Sequence, residues 1–98
     1  MFVGILDLDL LLPDDVSSLK DKRGHVRGLV AELRRRYEVA AAEAGYLDLH
    51  RRTLIGVAVV APDRKHARSV LEACERLAAG RPELQLLAAR MRFVGDDD

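Results

Sequence analysis

The residues of this chain that could do chemistry are carboxylates on a predicted strand and cations on a predicted helix. Asp7 and Asp9 stand two residues apart, so on an extended strand both carboxylates point to one face. Mg²⁺ often accepts one or two carboxylates together with water molecules, so the pair could hold a divalent cation. The alternative, which we favour, is ionic pairing with Arg90 or Arg92 on a neighbouring strand.

The other reactive side chains form no recognisable catalytic or metal-binding arrangement. The histidines, His25, His50 and His66, are far apart in sequence and have no metal-ligand spacing. The single cysteine, Cys74, leaves no partner for an internal disulfide or a paired-cysteine zinc site. It lies in an apolar helical stripe, so we expect a buried, inert thiol. The sequence therefore predicts a protein without catalytic residues, metal or cofactor.

Cations are concentrated on the helix predicted to begin after Ser18 and to end near Tyr37. At about 100° per residue, four of them fall within an arc of about 60°: Lys20, Arg23, Arg27 and Arg34. Such a flank could contact the phosphate backbone of structured RNA, with affinity dominated by counterion release. The predicted contacts are Lys20, Lys22, Arg23, Arg27 and Arg34, with Arg51 and Arg52 extending the surface. The alternative is a solvated helix face that complements the helix dipole.

Composition is compatible with this prediction although the chain has no net charge. Its 98 residues hold sixteen Lys and Arg against sixteen Asp and Glu, but the charges are unevenly placed. Three aspartates close the sequence, and we expect residues 1–94 to form one domain and 95–98 a disordered acidic tail. Acidic residues interrupt the apolar run Phe2–Leu12, so we expect a cytoplasmic protein without a membrane partner.

Hydrophobic periodicity predicts the strands and helices that position these side chains. Strands are predicted at Phe2–Leu12, Val39–Glu43, Thr53–Ala61 and Leu84–Phe93, with helices capped by Ser18 and Asp63. The resulting order is β-α-β-β-α-β. It predicts an α+β, ferredoxin-like sandwich: a four-stranded antiparallel sheet in the order 4-1-3-2, with two helices on one face.

The face of this sheet without helices raises a second possibility. Val3, Ile5 and Leu11 point away from the predicted helices, and a contiguous apolar patch there would be unusual for a monomer. We therefore expect a second copy of the chain to cover it in a twofold dimer. The alternative functional hypothesis is accordingly a homodimeric protein-interaction module. A partly exposed sheet shielded by long arginine side chains would remove the need for a partner.

Other uses of this architecture are disfavoured by composition. Acylphosphatase-type hydrolysis needs an asparagine to orient water, and the sequence contains none. Iron–sulfur binding needs several cysteines. RNA-recognition motifs stack bases on aromatic rings of the central strands, and Thr53–Ala61 has no aromatic residue. Any RNA binding would therefore use backbone charge.

Three segments together resemble the YlxP-like family of small bacterial proteins of unassigned function. They are Val3–Leu6, the run Ser18–Arg23 and Leu54–Val60. The resemblance covers nearly the whole chain and implies a ferredoxin-like sandwich. Genes of that family often lie beside those for transcription and translation factors. This gene context favours a role on RNA or the ribosome, and the family supplies no established catalytic residues to carry over.

Overall fold

The computed structural model of the protein describes residues 1–96 and contains six elements in the predicted order. They are β1 (Phe2–Leu11), α1 (Leu19–Arg36), β2 (Ala40–Gly45), β3 (Arg52–Ala61), α2 (Arg64–Ala79) and β4 (Gln85–Gly95). The strands form one antiparallel sheet in the order β2-β3-β1-β4, which is 4-1-3-2 counted from the opposite edge. Both helices pack on one face, so the predicted α+β, ferredoxin-like architecture is confirmed.

The leucines of β1 form the centre of the core. Leu6, Leu8 and Leu10 are completely buried, and the residues between them are only partly covered. β1 has β3 on one side and β4 on the other, so its alternating side chains meet neighbours from both. This period-two alternation, with β1 and β3 at the centre of the sheet, was predicted from the sequence and is confirmed.

Both helices begin at the predicted caps. The Ser18 hydroxyl accepts a hydrogen bond from the backbone N–H of Asp21 at 3.1 Å, and the Asp63 carboxylate accepts one from the N–H of His66 at 2.7 Å. The Asp21 carboxylate accepts from the N–H and hydroxyl of Ser17. These bonds stabilise the charged form and lower the pKa of Asp21. The capping box thus closes on the residue before the cap.

The strand bounds differ from the sequence prediction by one or two residues, most at the ends of β2 and β4. β2 starts one residue later than predicted and continues to Gly45, because pairing with β3 resumes at Leu54 after a bulge that follows Glu43. β4 continues to Gly95, which pairs with Phe2.

The predicted acidic tail therefore begins inside a strand. Gly95 belongs to β4 and Asp96 follows it as a turn residue. The rest of the tail, Asp97 and Asp98, lies outside the described residues.

The helices divide the sheet between them and leave its second face uncovered. α1 packs against β2, whereas α2 packs against β1, β3 and β4. The uncovered side, called the open face below, carries the odd-numbered residues of β1 from Val3 to Leu11. Their register partners on β3 and β4 lie beside them on the same face.

Candidate functional site

The four cations predicted to share one side of α1 do so, and they form the basic flank (Lys20, Arg23, Arg27 and Arg34). All four side chains are exposed. Lys20, Arg23 and Arg27 follow one another at spacings of three and four residues, which brings neighbouring Cβ atoms within about 5–6 Å. Arg34 lies about two helical turns beyond Arg27 on the same flank. Arg27 and Arg34 line a groove together with Ala42 and Glu43, so the basic flank faces the free edge of β2.

The first three members of the basic flank are available to a ligand. Within residues 1–96, Lys20, Arg23 and Arg27 form no ion pair. Arg34 differs, because its Nη2 donates a hydrogen bond of 2.6 Å to the backbone carbonyl of Ala41 on β2. The basic flank therefore consists of three unpaired cations and a fourth held at the sheet edge.

Lys22 was predicted to contact phosphate, and this prediction is wrong. Its side chain is only 2% exposed. The Nζ atom lies 2.8 Å from Glu43 Oε2 and donates a hydrogen bond of 2.7 Å to the Tyr46 carbonyl. Thr53 Oγ1 donates to the same Glu43 oxygen at 2.7 Å. The ammonium group is thus compensated inside the protein and cannot reach an external anion without leaving this cluster.

The sequence contained the signal for this burial. Lys22 precedes Val26 by four residues and Leu29 by seven, so helical spacing places it on the apolar face of α1. The partners Glu43 and Thr53 could not be identified in the same way, since they depend on how β2 and β3 lie beneath the helix.

Arg51 was predicted to extend the basic surface, but it is bound within the protein. Its Nη2 pairs with the Asp14 carboxylate and also donates to the carbonyl of Leu12 at 3.3 Å. Its Nε donates to the carbonyl of Pro13. Arg51 therefore fastens the loop after β1 and does not join the basic flank.

Arg52 is likewise committed to partners on the open face. Its Nε and Nη2 each donate a hydrogen bond of 2.8 Å to the Asp9 carboxylate, and its guanidinium lies 4.7 Å from the centre of the Tyr46 ring. This bidentate pair lowers the pKa of Asp9 and raises that of Arg52. The Asp9 carboxylate thus compensates the charge that Arg52 was predicted to add to the basic surface.

The two strand carboxylates are explained by ion pairs. Asp7 lies 3.5 Å from Arg92 on β4, as one of the two predicted partners. Asp9 pairs instead with Arg52 on β3. Among residues 1–96, no three His, Cys, Asp or Glu side chains gather as a metal-ligand group.

The opposite flank of α1 is electrically different. Glu32 Oε1 lies 2.7 Å from Arg81, and its other oxygen lies 3.9 Å from both Arg35 and Arg36. The two cations that follow Arg34 therefore share a carboxylate, whereas the three earlier members of the basic flank do not. The charge asymmetry of the helix is a property of the folded structure as well as of the sequence.

The open face carries an apolar row across three strands. Val3 pairs in register with Val60 on β3 and with Val94 on β4, and the two outer valines are 65% and 59% exposed. Ile5 lies next to Val3 on this face and, like Leu11, is only partly covered. Towards β2 the surface is made of small residues: Ala40, Ala42, Ala44, Gly56 and Ala58. The three residues predicted for a dimer interface thus lie on a surface that no described element covers.

Cys74 is buried in α2, as predicted. Its side chain is inaccessible, and burial raises the pKa of its thiol to about 11. Neither helix of residues 1–96 is long and apolar enough to cross a membrane.

Comparison with known proteins identifies relatives but not an activity. Residues 3–91 match the family model described as "Protein of unknown function (DUF503)". The chain is also similar to the "Uncharacterized protein YlxP" of Bacillus subtilis (strain 168). The two are 28% identical over 91 residues, which cover 93% of this chain and 98% of that protein.

Proposed function

Because this chain belongs to the DUF503 family of proteins of unknown function, we propose its role from its surfaces: it binds the phosphate backbone of RNA through the basic flank of α1. The single observation that supports this role is the row of three exposed, unpaired cations, Lys20, Arg23 and Arg27. The protein has no catalytic step in this proposal. It acts as a cytoplasmic, RNA- or ribosome-associated protein.

The helix surface beside the row favours close approach by a backbone. Gly24 is exposed, and a Cβ atom added there would meet no atom within 4 Å. Small residues let a phosphate backbone come near the cations on either side. The contacts are to phosphates, so binding depends on charge and shape and has little base specificity.

A salt series tests this proposal most directly. Three or four phosphate contacts predict that log K falls against log salt with a slope between about −2 and −4. Filter binding of a structured RNA at several salt concentrations between about 50 and 200 mM measures this slope. An affinity that is independent of salt contradicts the proposal.

A matched pair of variants separates the basic flank from general charge. Arg23→Gln with Arg27→Gln removes two cations from the flank, and we expect weaker binding to all RNA sequences and a slope reduced by about 2. Lys65→Gln with Arg76→Gln removes the same charge from the exposed surface of α2. Equal losses for the two double variants would show that the basic flank is not the binding surface.

A second candidate function, a homodimeric protein-interaction module, is supported by the apolar row of the open face, Val3, Val60 and Val94. An exposed row of this kind across three strands is the type of surface that a second copy covers. Light scattering at micromolar concentration should then give twice the 10.9 kDa chain mass. Val60→Asp should restore the monomer, whereas Leu47→Asp, at an exposed loop position, should not. A monomeric wild-type protein argues against this candidate.

A further inference from the structure

The free edge of β2 is an unpaired strand edge beside a lined groove. β2 pairs with β3 on one side only. The groove between this edge and α1, called the edge groove, has a volume of about 360 Å³. It is lined by Val26, Val30, Ala31 and Ala42, by Arg27 and Arg34 of the basic flank, and by Glu43, whose carboxylate is paired with Lys22.

The backbone of β2 presents hydrogen-bonding groups towards this groove. The Ala41 carbonyl accepts from Arg34, a side chain, so it points away from β3. Residues of an antiparallel strand bond alternately to one side and the other. The Ala41 N–H therefore also points outward, and no side chain among residues 1–96 accepts a hydrogen bond from it.

From this geometry we propose that β2 accepts an extended, acidic segment of a partner protein as a fifth strand. Backbone hydrogen bonds to Ala41 would hold the segment, as in other cases of strand addition. Its side chains opposite Ala41 would face α1, where Arg27 and Arg34 can bind carboxylates. Its alternate side chains would lie on the open face beside Ala40 and Ala42.

The charges of the edge groove identify the occupant. A second copy paired through β2 about a twofold axis would place the two basic flanks side by side, so like charges would repel. An acidic segment instead neutralises Arg27 and releases Arg34 from the Ala41 carbonyl, because an N–H of the segment takes over that bond. Arg27 and Arg34 also belong to the proposed RNA surface, and this inference goes beyond that function by adding a protein ligand that depends on backbone pairing.

The test uses a labelled heptapeptide in which glutamate alternates with valine. Two further versions carry backbone N-methyl groups on either the odd or the even residues, which face opposite edges of an extended strand. We expect the full-length protein to bind the unmethylated peptide, one methylated version to bind at least tenfold more weakly, and the other to retain its affinity. Amide NMR shifts should be centred on Ala41 and Glu43.

Besides a failure of the unmethylated peptide to bind, three outcomes would overturn the inference. Equal binding of the two methylated peptides would mean that charge alone attracts the segment. Shifts centred on β4 or on the open face would place it elsewhere, and a dimer paired through β2 would make a second copy the occupant. Arg27→Gln should weaken peptide binding at least threefold more than Lys65→Gln does. If the wild-type protein binds the peptide but not RNA, that result would contradict the proposed function and leave this inference intact.

Discussion

Lys22 illustrates how a single side chain can change its role between sequence and structure. Its charge belongs, by composition, to the most basic segment of the chain. Its position places that charge between α1 and the sheet, where it pairs with the Glu43 carboxylate and donates a hydrogen bond to the Tyr46 carbonyl. Residues that carry the same charge on the same helix therefore have opposite tasks: Lys22 joins the helix to the sheet, and Arg23 remains free at the surface.

Lys22→Met should destabilise the protein by about 3 kcal/mol, because it leaves the Glu43 carboxylate largely buried without its cation. Replacing both partners, with Lys22→Met and Glu43→Leu, should recover at least half of that loss, since no uncompensated charge remains. Urea denaturation of the single and double variants measures both quantities. Additive losses would mean that the two side chains do not act as a pair.

The same variant distinguishes the internal role of Lys22 from an RNA-binding role. At a temperature where Lys22→Met is fully folded, its affinity for RNA should equal that of the wild type. If Lys22→Met reduced the affinity for RNA as much as Arg23→Gln does, this would show that Lys22 contacts RNA.

The Asp9–Arg52 pair predicts how one carboxylate contributes to acid stability. The pKa of Asp9 is lowered below its usual value of 3.8 by the two hydrogen bonds from Arg52. The pair therefore stabilises the folded state fully above about pH 4, and its contribution is lost as the pH falls through the lower, folded-state pKa. Asp9→Asn should unfold at lower urea than wild type at pH 7, and the difference between the two midpoints should shrink as the pH falls below the usual Asp9 pKa of 3.8. The exposed Asp48→Asn serves as the control.

At the scale of elements, two glycines have opposite sensitivities to an added methyl group. A Cβ at Gly4 on β1 would lie 2.9 Å from Leu71 and 3.2 Å from Ala67, both on α2. The glycine therefore sets how closely α2 approaches the sheet. Gly24 is exposed inside α1, and its Cβ would meet nothing within 4 Å. There the glycine only raises the conformational entropy of the unfolded chain.

Gly4→Ala should therefore lower the free energy of unfolding by about 1–3 kcal/mol, because the core would be overpacked. Gly24→Ala should raise it by roughly 0.5–1 kcal/mol through improved helix propensity. Thermal unfolding of the two variants beside the wild type is sufficient to compare them. The opposite order of stabilities would contradict the packing described for β1 and α2.

Most of the elements could be predicted because their signals are local. The alternation of Leu6, Leu8 and Leu10 specifies a strand with one buried face, and Ser18 and Asp63 specify helix starts through their own side chains. Strand ends were less predictable. The bulge that lets β2 reach Gly45, and the pairing that extends β4 to Gly95, depend on distant strands.

The candidate site was predictable only in part for the same reason. Helical spacing alone is enough to group Lys20, Arg23 and Arg27 on one flank. It cannot indicate which arginines have found a carboxylate, since Asp9 and Asp14 reach Arg52 and Arg51 through contacts made only in the fold. The dimensions of the edge groove also follow from the packing of α1 beside β2.

At the scale of the whole molecule, a net charge of zero conceals an uneven distribution of positive and negative charge. Cations without partners line one side of α1, whereas most others, such as Arg52 and Arg81, are matched to carboxylates. Local charge, and not the total, governs the attraction of a polyanion at distances near the Debye length, about 8–10 Å at ordinary salt.

We therefore expect the protein to be retained on immobilised heparin near pH 7 despite its calculated pI of about 6.8. Arg23→Gln with Arg27→Gln should elute at clearly lower salt, and Lys65→Gln with Arg76→Gln should elute close to the wild type. Heparin chromatography in a linear salt gradient checks this prediction. If the wild-type protein were not retained, the charge of the basic flank would be too weak to attract a polyanion from a distance.

The tether beneath α1 has a kinetic consequence. Lys22 occupies the same helical turn as Lys20 and Arg23 and fixes that turn to the sheet. The backbone that carries these cations is therefore already held in place in the free protein. Complex formation should then be a single fast step whose rate rises in proportion to concentration. Stopped-flow traces without a slow, concentration-independent phase would be the signature of this preorganised helix.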